Sequence, residues 1–464
     1  MKINLPFSRN LRHQLRQLAK WIAIITPLAI VVGSLNAFFL WLLGKATDFR
    51  ISTYEQHAWI IYLLPLAGVA IVWVYRKFGK NSEGGNNLIM DEIHKPGGGV
   101  PGRMSPFVLF STVITHLFGG SAGREGTAVQ IGGATAQQLG NLLKLDEDDT
   151  RLILTAGVAA GFGSIFGTPF TGAIFALEVL TIGKIKFNAI IPALFASVIG
   201  NFVTTAWGTH HSHNKLINIT DKISVQFNEN LHYLDISLII GKIIIAGMAF
   251  GLAGYLFGEL THKVKDTLKA KVKNPYLIPV IGGVVVIIAV NLLGNYDYIG
   301  IGVKAYREGG VGINTAFQEG GAEWYSWITK LVLTAITLGS GFKGGEVTPL
   351  FFVGATLGNT MAGLLDAPVA LFAALGFIGV FAAATNTPLA CTIMGVELFG
   401  SEYLLYFAIA CYTAYYFSGH TGIYASQKVA VPKHIGSKEH IEENLGELRK
   451  QGKHLKPPKE DRMD

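Results

Sequence analysis

The segment GREGTAVQIGGAT at residues 123–135 recurs in altered form as GGEVTPLFFVGAT at residues 344–356. Aligned without gaps, the two segments share their first glycine, the glutamates Glu125 and Glu346, a threonine two residues later, and a closing Gly-Ala-Thr. A second pair, GTPFTGAIFALE at 167–178 and NTPLACTIMGVE at 386–397, follows at nearly the same distance. The chain therefore consists largely of two related repeats, each about half its length. Glycine-interrupted apolar repeats are typical of transporters whose substrate binds at the repeat interface, near the bilayer midplane.

The composition also predicts a membrane protein. Half of the 464 residues are hydrophobic, only 15% are charged, and the mean hydropathy is +0.40. A soluble chain would carry about 25% charged residues. Apolar runs long enough to span or nearly span a bilayer recur along the chain at 21–44, 58–75, 187–207, 235–258, 276–293 and 323–338. We expect an all-α polytopic membrane protein with a first membrane repeat at 21–220 and a second at 221–427.

Several further apolar stretches are shorter than the roughly 20 residues of a simple span. They begin or end in glycine clusters and lie at 106–118, 127–140, 152–166, 347–364 and 388–400. We predict that they form half-helices that meet inside the membrane. Irregular backbone at that depth is tolerated only where it is buried in protein or lines a cavity, so these breaks should mark the transport pathway.

The basic residues predict the topology. Lysine and arginine cluster in the amino terminus, residues 1–20, and in the predicted loop 76–105. Both segments should be cytoplasmic. The hydrophilic tail, residues 428–464, is expected to be solvated and cytoplasmic as well. The net charge of +7 therefore reports topology and not nucleic-acid binding. We expect a cell inner membrane with both termini in the cytoplasm.

Four glutamates stand in apolar segments, where a carboxylate costs on the order of 2.5 to 3.5 kcal/mol. Glu178 and Glu397 end equivalent helices, and we expect them to accept backbone N–H bonds that brace the fold. Glu125 differs because it lies between two glycines where a helix begins, so its side chain should share space with free backbone N–H groups. There an ionised Glu125 would compete with an anion, and protonation would release it. A purely structural Arg124–Glu125 pair is the alternative.

These residues resemble the motifs of the CLC family of anion channels and anion/proton antiporters. GREGT with Gln130 is similar to the family's glutamate-gate motif, GGEVTP to its second-repeat counterpart, and Tyr424 in GIYAS to its inner tyrosine. The resemblance runs from about residue 20 to 430. It implies a CLC-like inverted-topology repeat with broken and re-entrant half-helices, and a homodimer with one anion pathway per subunit. Glu125 would be the gate and proton carrier, and Glu346 a second acid near the anion. The implied anion-binding residues are Asn86, Thr348, Val347, Tyr424, Gly123, Arg124 and Gly126.

Three departures from the chloride-selective pattern resemble the fluoride/proton antiporter branch. GNNLI at 85–89 stands where chloride-type members carry Gly-Ser-Gly-Ile-Pro, so an amide from Asn86 or Asn87 replaces a serine hydroxyl. Glu346 stands where they have an apolar residue. Val179 follows Glu178, so the internal proton-transfer glutamate is missing. Fluoride is small and strongly hydrated, and a site for it needs close hydrogen-bond donors such as amides and hydroxyls. The aromatic positions of that branch hold Ile89 and Glu92 here.

Other functions were weighed against fluoride/proton antiport. The nearest alternative is a chloride or nitrate transporter or channel on the same fold. A membrane metalloenzyme could use the histidines at 210, 211 and 213 with Asp221, but they form no helical metal-binding pattern, and a solvated loop is the simpler interpretation. GSGFKGG at 339–345 lacks the Gly-Lys-Ser/Thr of a phosphate loop. We expect neither a cofactor nor a metal.

Overall fold

The fold is described from a computed structural model that covers residues 6–56, 58–209, 233–433 and 443–451. The histidine cluster and Asp221 lie outside the described residues. The first half contains the helices α1 Pro6–Gln56, α2 Leu64–Val74, α3 Gly85–His94, α4 Met104–Leu117, α5 Glu125–Leu142, α6 Glu147–Phe166, α7 Pro169–Glu178 and α8 Ile190–Ala206. The second half contains α9 Tyr233–Lys271, α10 Leu277–Leu293, α11 Ser326–Gly339, α12 Val347–Leu365, α13 Val369–Thr385, α14 Pro388–Phe399, α15 Leu404–Phe417 and α16 Leu445–Lys450. Two-residue strands, β1 Thr181–Ile182 and β2 Lys428–Val429, pair in parallel.

The prediction of an all-α polytopic membrane protein is confirmed. Within the described residues, five helical segments are long and apolar enough to cross a membrane, and further apolar helices of 10–17 residues accompany them. α1, with 51 residues, is about 75 Å long at the usual rise per residue, more than twice the hydrocarbon thickness. It therefore extends beyond the membrane, and Arg50 lies far along the helix from the basic amino terminus.

The repeated Thr-Pro pairs explain where the helices break. Gly167 follows the last residue of α6 and Asn386 follows the last residue of α13, and both adopt the left-handed conformation, with φ of 75° and 60°. Such a residue terminates a helix. Pro169 and Pro388 are the first residues of α7 and α14. Proline is tolerated there because the N–H group that it lacks would have no partner within the helix. Each repeat thus turns sharply inside the apolar layer and starts a short helix.

Two of the stretches predicted as short half-helices, 127–140 and 152–166, form longer helices than expected, since α5 and α6 have 18 and 20 residues. α12, with 19 residues, follows the predicted stretch 347–364 to within one residue. The internal glycines of these three helices are not breaks but contact points between helices. A Cβ on Gly132 would lie 2.0 Å from the carbonyl oxygen of Gly157, and one on Gly354 would lie 2.1 Å from that of Gly376. Small residues let membrane helices approach closely, here between α5 and α6 in the first repeat and between the equivalent helices α12 and α13 in the second. α4 and α14, with 14 and 12 residues, are short as predicted.

The two repeats hold each other through reciprocal helix capping. The Glu178 carboxylate accepts the backbone N–H groups of Leu389 and Ala390 at the start of α14, at 3.0 and 2.7 Å. Glu397, in α14, accepts those of Phe170 and Thr171 at the start of α7, at 3.0 and 2.8 Å. The expectation that these carboxylates brace the fold is confirmed. Their carboxylates also complement the positive ends of the two helix dipoles.

We expect Glu178→Ala and Glu397→Ala to lower the thermal stability of the protein. Each variant removes two backbone bonds to a carboxylate, and a hydrogen bond to a charged group contributes about 1.5 to 3 kcal/mol. Thermal unfolding in detergent should show a clear fall in Tm for both, and none for Glu319→Ala, which removes an exposed carboxylate. Wild-type Tm values in both cap variants would exclude this bracing role.

Two structural expectations about the segments predicted to be cytoplasmic are wrong. The predicted loop 76–105 contains helix α3, and the tail is not simply solvated over its described residues. Lys428 and Val429 pair with β1, and Asn444 and Glu447 form a capping box at the start of α16. A small separate core lies beneath this segment and contains Ile182, Val429, Leu445 and Leu448. The apolar side chains of the tail were too few to stand out against its charged residues.

Candidate anion site

The two copies of the repeated motif meet in space. Gly123 and Gly345 exchange two backbone hydrogen bonds, with N···O distances of 2.6 and 2.8 Å, in an antiparallel bridge. The chain turns directly after this bridge into α5 on one side and α12 on the other. A Cβ on Gly345 would lie 2.7 Å from the amide nitrogen of Gly126, so only glycine permits this approach. The N-terminal amides of two helices, which carry partial positive charge, are therefore brought together.

The Glu125 carboxylate is held by donors from the other repeat. Its Oε2 accepts the backbone N–H of Thr348 at 3.0 Å, and its Oε1 accepts a short hydrogen bond from the Thr348 hydroxyl. Oε2 also accepts the Arg124 N–H at 3.0 Å. The whole residue is inaccessible to solvent. A carboxylate therefore lies against the beginning of α12, on backbone and hydroxyl donors that suit an anion.

Arg124 contributes a weaker contact to the same carboxylate. Its Nε atom lies 3.5 Å from Glu125 Oε1, outside good hydrogen-bond geometry. The alternative of an Arg124–Glu125 structural pair is thus present as a contact, but Thr348 makes the closer bonds. Arg124 occupies the N-cap position of α5, and its side chain lines two cavities.

Asn86 and Glu346 lie on the other side of Gly126. A Cβ on Gly126 would be 3.0 Å from Asn86 Nδ2 and 3.4 Å from Glu346 Oε2, so the amide and the second acid share one location. Asn86 Oδ1 and Glu346 Oε2 are both enclosed and lack a hydrogen-bond partner among the described residues. Asn87, in contrast, accepts the Ser426 N–H at 3.0 Å. Of the two asparagines, Asn86 is the one beside the repeated glutamates.

Tyr424 is buried and lies within electrostatic reach of both Glu125 and Glu346. It stands in the segment after α15, which is anchored by the Ile423 N–H to the Ala384 carbonyl, at 2.9 Å. A cavity of about 330 Å³ lies beside this segment and is lined by residues that include Asn87, His262, Lys265 and Ala425. Val347 is the first residue of α12 and is buried next to Thr348.

The helix α3 does not carry an aromatic path. A Cβ on Gly133 would lie 2.6 Å from Ile89 Cδ1, which places the isoleucine against α5. Glu92 accepts three successive backbone N–H groups, from Gly97, Gly98 and Gly99, at 2.8 to 3.0 Å. Its carboxylate orders the loop after α3. These two positions therefore serve packing and loop structure.

A buried chain of contacts behind Glu125 was not predicted from the sequence. The Arg50 guanidinium donates to the His116 carbonyl at 3.0 Å, and His116 Nε2 lies 3.2 Å from the Gly123 carbonyl. Lys343 was also missed; its Nζ lies 4.3 Å from the Tyr75 ring centre, and it interacts electrostatically with Glu346. The available signal was the presence of ionisable residues in or next to apolar segments, which normally marks function.

Comparison with known proteins agrees with this arrangement. The family described as voltage gated chloride channel matches residues 67–419. A chloride/fluoride channel protein of Pseudomonas syringae pv. tomato is 46% identical over 417 residues, which cover 90% of this chain and 88% of the relative. The crystal structure of a CLC-type fluoride/proton antiporter superimposes with a TM-score of 0.80 at 34% identity, covering 89% of this chain and 98% of that one.

A more distant solved structure shares the fold. A slow cyanobacterial chloride/proton antiporter superimposes with a TM-score of 0.69 at 19% identity, over 86% of this chain. The predicted CLC-like repeat architecture is confirmed by these similarities and by the paired motifs at the centre of the molecule. The chain therefore belongs to the voltage gated chloride channel family, the CLC family of ion-transport proteins.

Proposed function

We propose that this protein exports fluoride from the cytoplasm in exchange for protons, with Glu125 as both gate and proton carrier. The observation that carries the proposal is the position of the Glu125 carboxylate on the Thr348 N–H and hydroxyl. An ionised carboxylate and a small anion need the same donors, so they exclude each other there. Protonation neutralises the side chain, weakens both bonds, and frees the donors for the anion.

The donor set favours a small, hard anion. The Thr348 hydroxyl and backbone N–H and the Asn86 amide lie where the two motifs meet, and the buried Tyr424 phenol interacts electrostatically with both repeated glutamates. A strongly hydrated anion such as fluoride loses much hydration in a buried site, and close charge-assisted bonds are needed to offset that loss. The relatives described as a chloride/fluoride channel and a fluoride/proton antiporter support this choice of ion.

The protein works as a homodimer in the cell inner membrane, with one pathway in each subunit and both termini in the cytoplasm. The basic amino terminus and the basic residues of 76–105 support this orientation, since lysine and arginine are retained on the cytoplasmic side. In this orientation the cavity beside Tyr424 faces the cytoplasm, and Arg124 faces outward. Fluoride would enter from the Tyr424 side and leave past Glu125.

The proposal is tested with purified protein in liposomes loaded with fluoride or with chloride. Fluoride efflux should be faster than chloride efflux and should drive protons inward against a pH gradient. A chloride or nitrate transporter of the same fold would instead prefer chloride or nitrate. Fluoride efflux without any linked proton movement would identify a channel and would overturn the antiport proposal.

We expect Thr348→Val and Tyr424→Phe to weaken fluoride transport. Each substitution removes one hydroxyl donor and keeps the shape of the side chain. Loss of a hydrogen bond to an ion costs about 1.5 to 3 kcal/mol, or roughly tenfold or more in affinity. Ser418→Ala is a control because its hydroxyl bonds the Tyr415 carbonyl away from the repeated glutamates. Wild-type fluoride dependence in both Thr348→Val and Tyr424→Phe would exclude these donors.

A further inference from the structure

A second polar cavity lies on the Arg124 side of the gate. It has a volume of about 190 Å³, and one of its walls is the last part of α1. Thr47, Arg50 and Tyr54 line this wall at spacings of three and four residues, which places them on one face of the helix. Arg124, the neighbour of Glu125, lines the cavity from the other side.

The polar atoms on this wall share an unusual property. Thr47 Oγ1, Arg50 Nε, Tyr54 OH and Arg124 Nε are all enclosed, and none has a hydrogen-bond partner among the described residues. Arg50 and Tyr54 are more than nine-tenths buried. All four groups can donate a hydrogen bond, and buried donors without partners are costly and rare in folded proteins. The residues that carry these donors line one cavity, and such a set of donors is the chemistry of an anion site.

Buried positive charge near the cavity also favours an anion. Arg50 and Lys330 are buried, and neither has a carboxylate within ion-pair distance among the described residues. Lys330 instead donates to the carbonyls of Tyr298 and Gly300, at 3.2 and 2.7 Å. Two acids border the cavity. Asp48 is exposed, and both carboxylate oxygens of Asp297 accept backbone N–H groups, from Tyr306 and Val311.

The donors are firmly positioned and linked to the gate. The Tyr54 ring packs on Tyr296 with ring centres 4.9 Å apart, and a Cβ on Gly300 would lie 2.0 Å from Arg50 Nη1. Arg50 also donates to His116, whose ring contacts the carbonyl of Gly123. The cavity is therefore a built structure whose wall connects to the backbone bridge of the two motifs.

We propose that this cavity is a second anion-binding site, in which Thr47, Arg50, Tyr54 and Arg124 bind a small monovalent anion such as a halide on the outer side of Glu125. The site goes beyond the exchange function proposed above, because Thr47, Arg50 and Tyr54 lie on α1, apart from the donors that hold the Glu125 carboxylate. Arg124 belongs to both places. An anion that has passed Glu125 would bind here before it reaches the external solution. The positive charge of the cavity would offset part of the hydration energy that the anion has lost.

The binding test uses the full-length protein in two measurements. Crystals grown in bromide should show anomalous density within hydrogen-bond distance of Arg50 Nε. Calorimetric titration with sodium fluoride, in a Thr348→Val background that removes the hydroxyl donor at Glu125, should show residual binding that weakens on the order of tenfold when Arg50→Gln is added. Tyr54→Phe and Thr47→Val should each weaken it less, and they remain informative if Arg50→Gln fails to fold.

Lys45→Gln is the matched control. It removes one positive charge from the same part of α1 but lies exposed and outside the cavity wall, so the residual fluoride binding should persist. Either bromide density at Arg50, or fluoride binding that the three wall variants reduce and Lys45→Gln leaves intact, supports the site. The absence of both overturns it. Proton-coupled fluoride flux is measured separately in liposomes, so failure of this site leaves the antiport proposal to its own test.

Discussion

Liposomes that contain Glu125→Gln are expected to show no fluoride-driven proton uptake, at the level of protein-free liposomes. The wild-type carboxylate accepts two bonds from Thr348 and one from Arg124, all of which suit a negatively charged acceptor. Glutamine keeps the size of the glutamate side chain, but its amide neither gains nor loses a proton near neutral pH. It also places an NH₂ group against backbone donors, so its hold on the site is weakened.

Fluoride movement and proton movement should be measured together in this variant. Any remaining fluoride flux should be independent of the pH gradient, because the amide cannot couple the two ions. Glu319→Gln, which changes an exposed carboxylate, should behave like the wild type. Proton uptake that survives in Glu125→Gln would remove this residue from the role of proton carrier, whatever happens to the fluoride flux.

Glu346→Ala is expected to lower both fluoride turnover and the preference for fluoride over chloride, while the protein still folds and dimerises. Glu346 and Glu125 interact electrostatically across the meeting point of the repeats. Two charged carboxylates and an anion in one buried place would repel strongly. We therefore infer that Glu346 carries a proton while the anion is bound and uses it as a hydrogen-bond donor.

The amide variant separates this role from a purely structural one. Glutamine resembles a protonated glutamate, since it keeps a donor that can reach the unpartnered Asn86 Oδ1 or the anion. Glu346→Gln should therefore retain fluoride binding, while Glu346→Ala loses roughly ten- to a hundredfold in affinity. Misfolding of both variants would assign Glu346 a structural role. Normal exchange rates and selectivity in a well-folded Glu346→Ala would exclude it from the fluoride site.

The central features could be predicted from sequence because the duplication repeats them. Glycine before each glutamate and threonine two residues after it are short-range signals, and they placed Glu125 and Val347 at helix starts. The Thr-Pro pairs similarly marked the turns before α7 and α14. The sequence pattern could not predict which helix ends of the two repeats would lie next to each other. The bond from Thr348 to Glu125 depends on how the two repeats dock.

Other features lacked a local signal. Gly132 and Gly354 could equally break a helix or pack it, and only the neighbouring helix decides between these outcomes. The docked tail depends on a few apolar residues, Val429, Leu445 and Leu448, that are dispersed among charges. Arg50 is one of several charged residues near the end of a long helix, and its burial follows from contacts with His116 and Gly300 that are distant in sequence.

The reciprocal caps at Glu178 and Glu397 have a consequence for how such a chain could have originated. A half-length polypeptide with one repeat would leave its carboxylate and its proline-initiated helix both unsatisfied in the bilayer. Two copies inserted in opposite orientations would satisfy the carboxylate and the helix start of each, since the glutamate of one copy would accept the N–H groups at the helix start of the other. The ancestor of the two repeats would then have been an antiparallel pair of short chains. Fusion made one orientation permanent for each half, and the basic amino terminus could afterwards fix the orientation of the whole molecule.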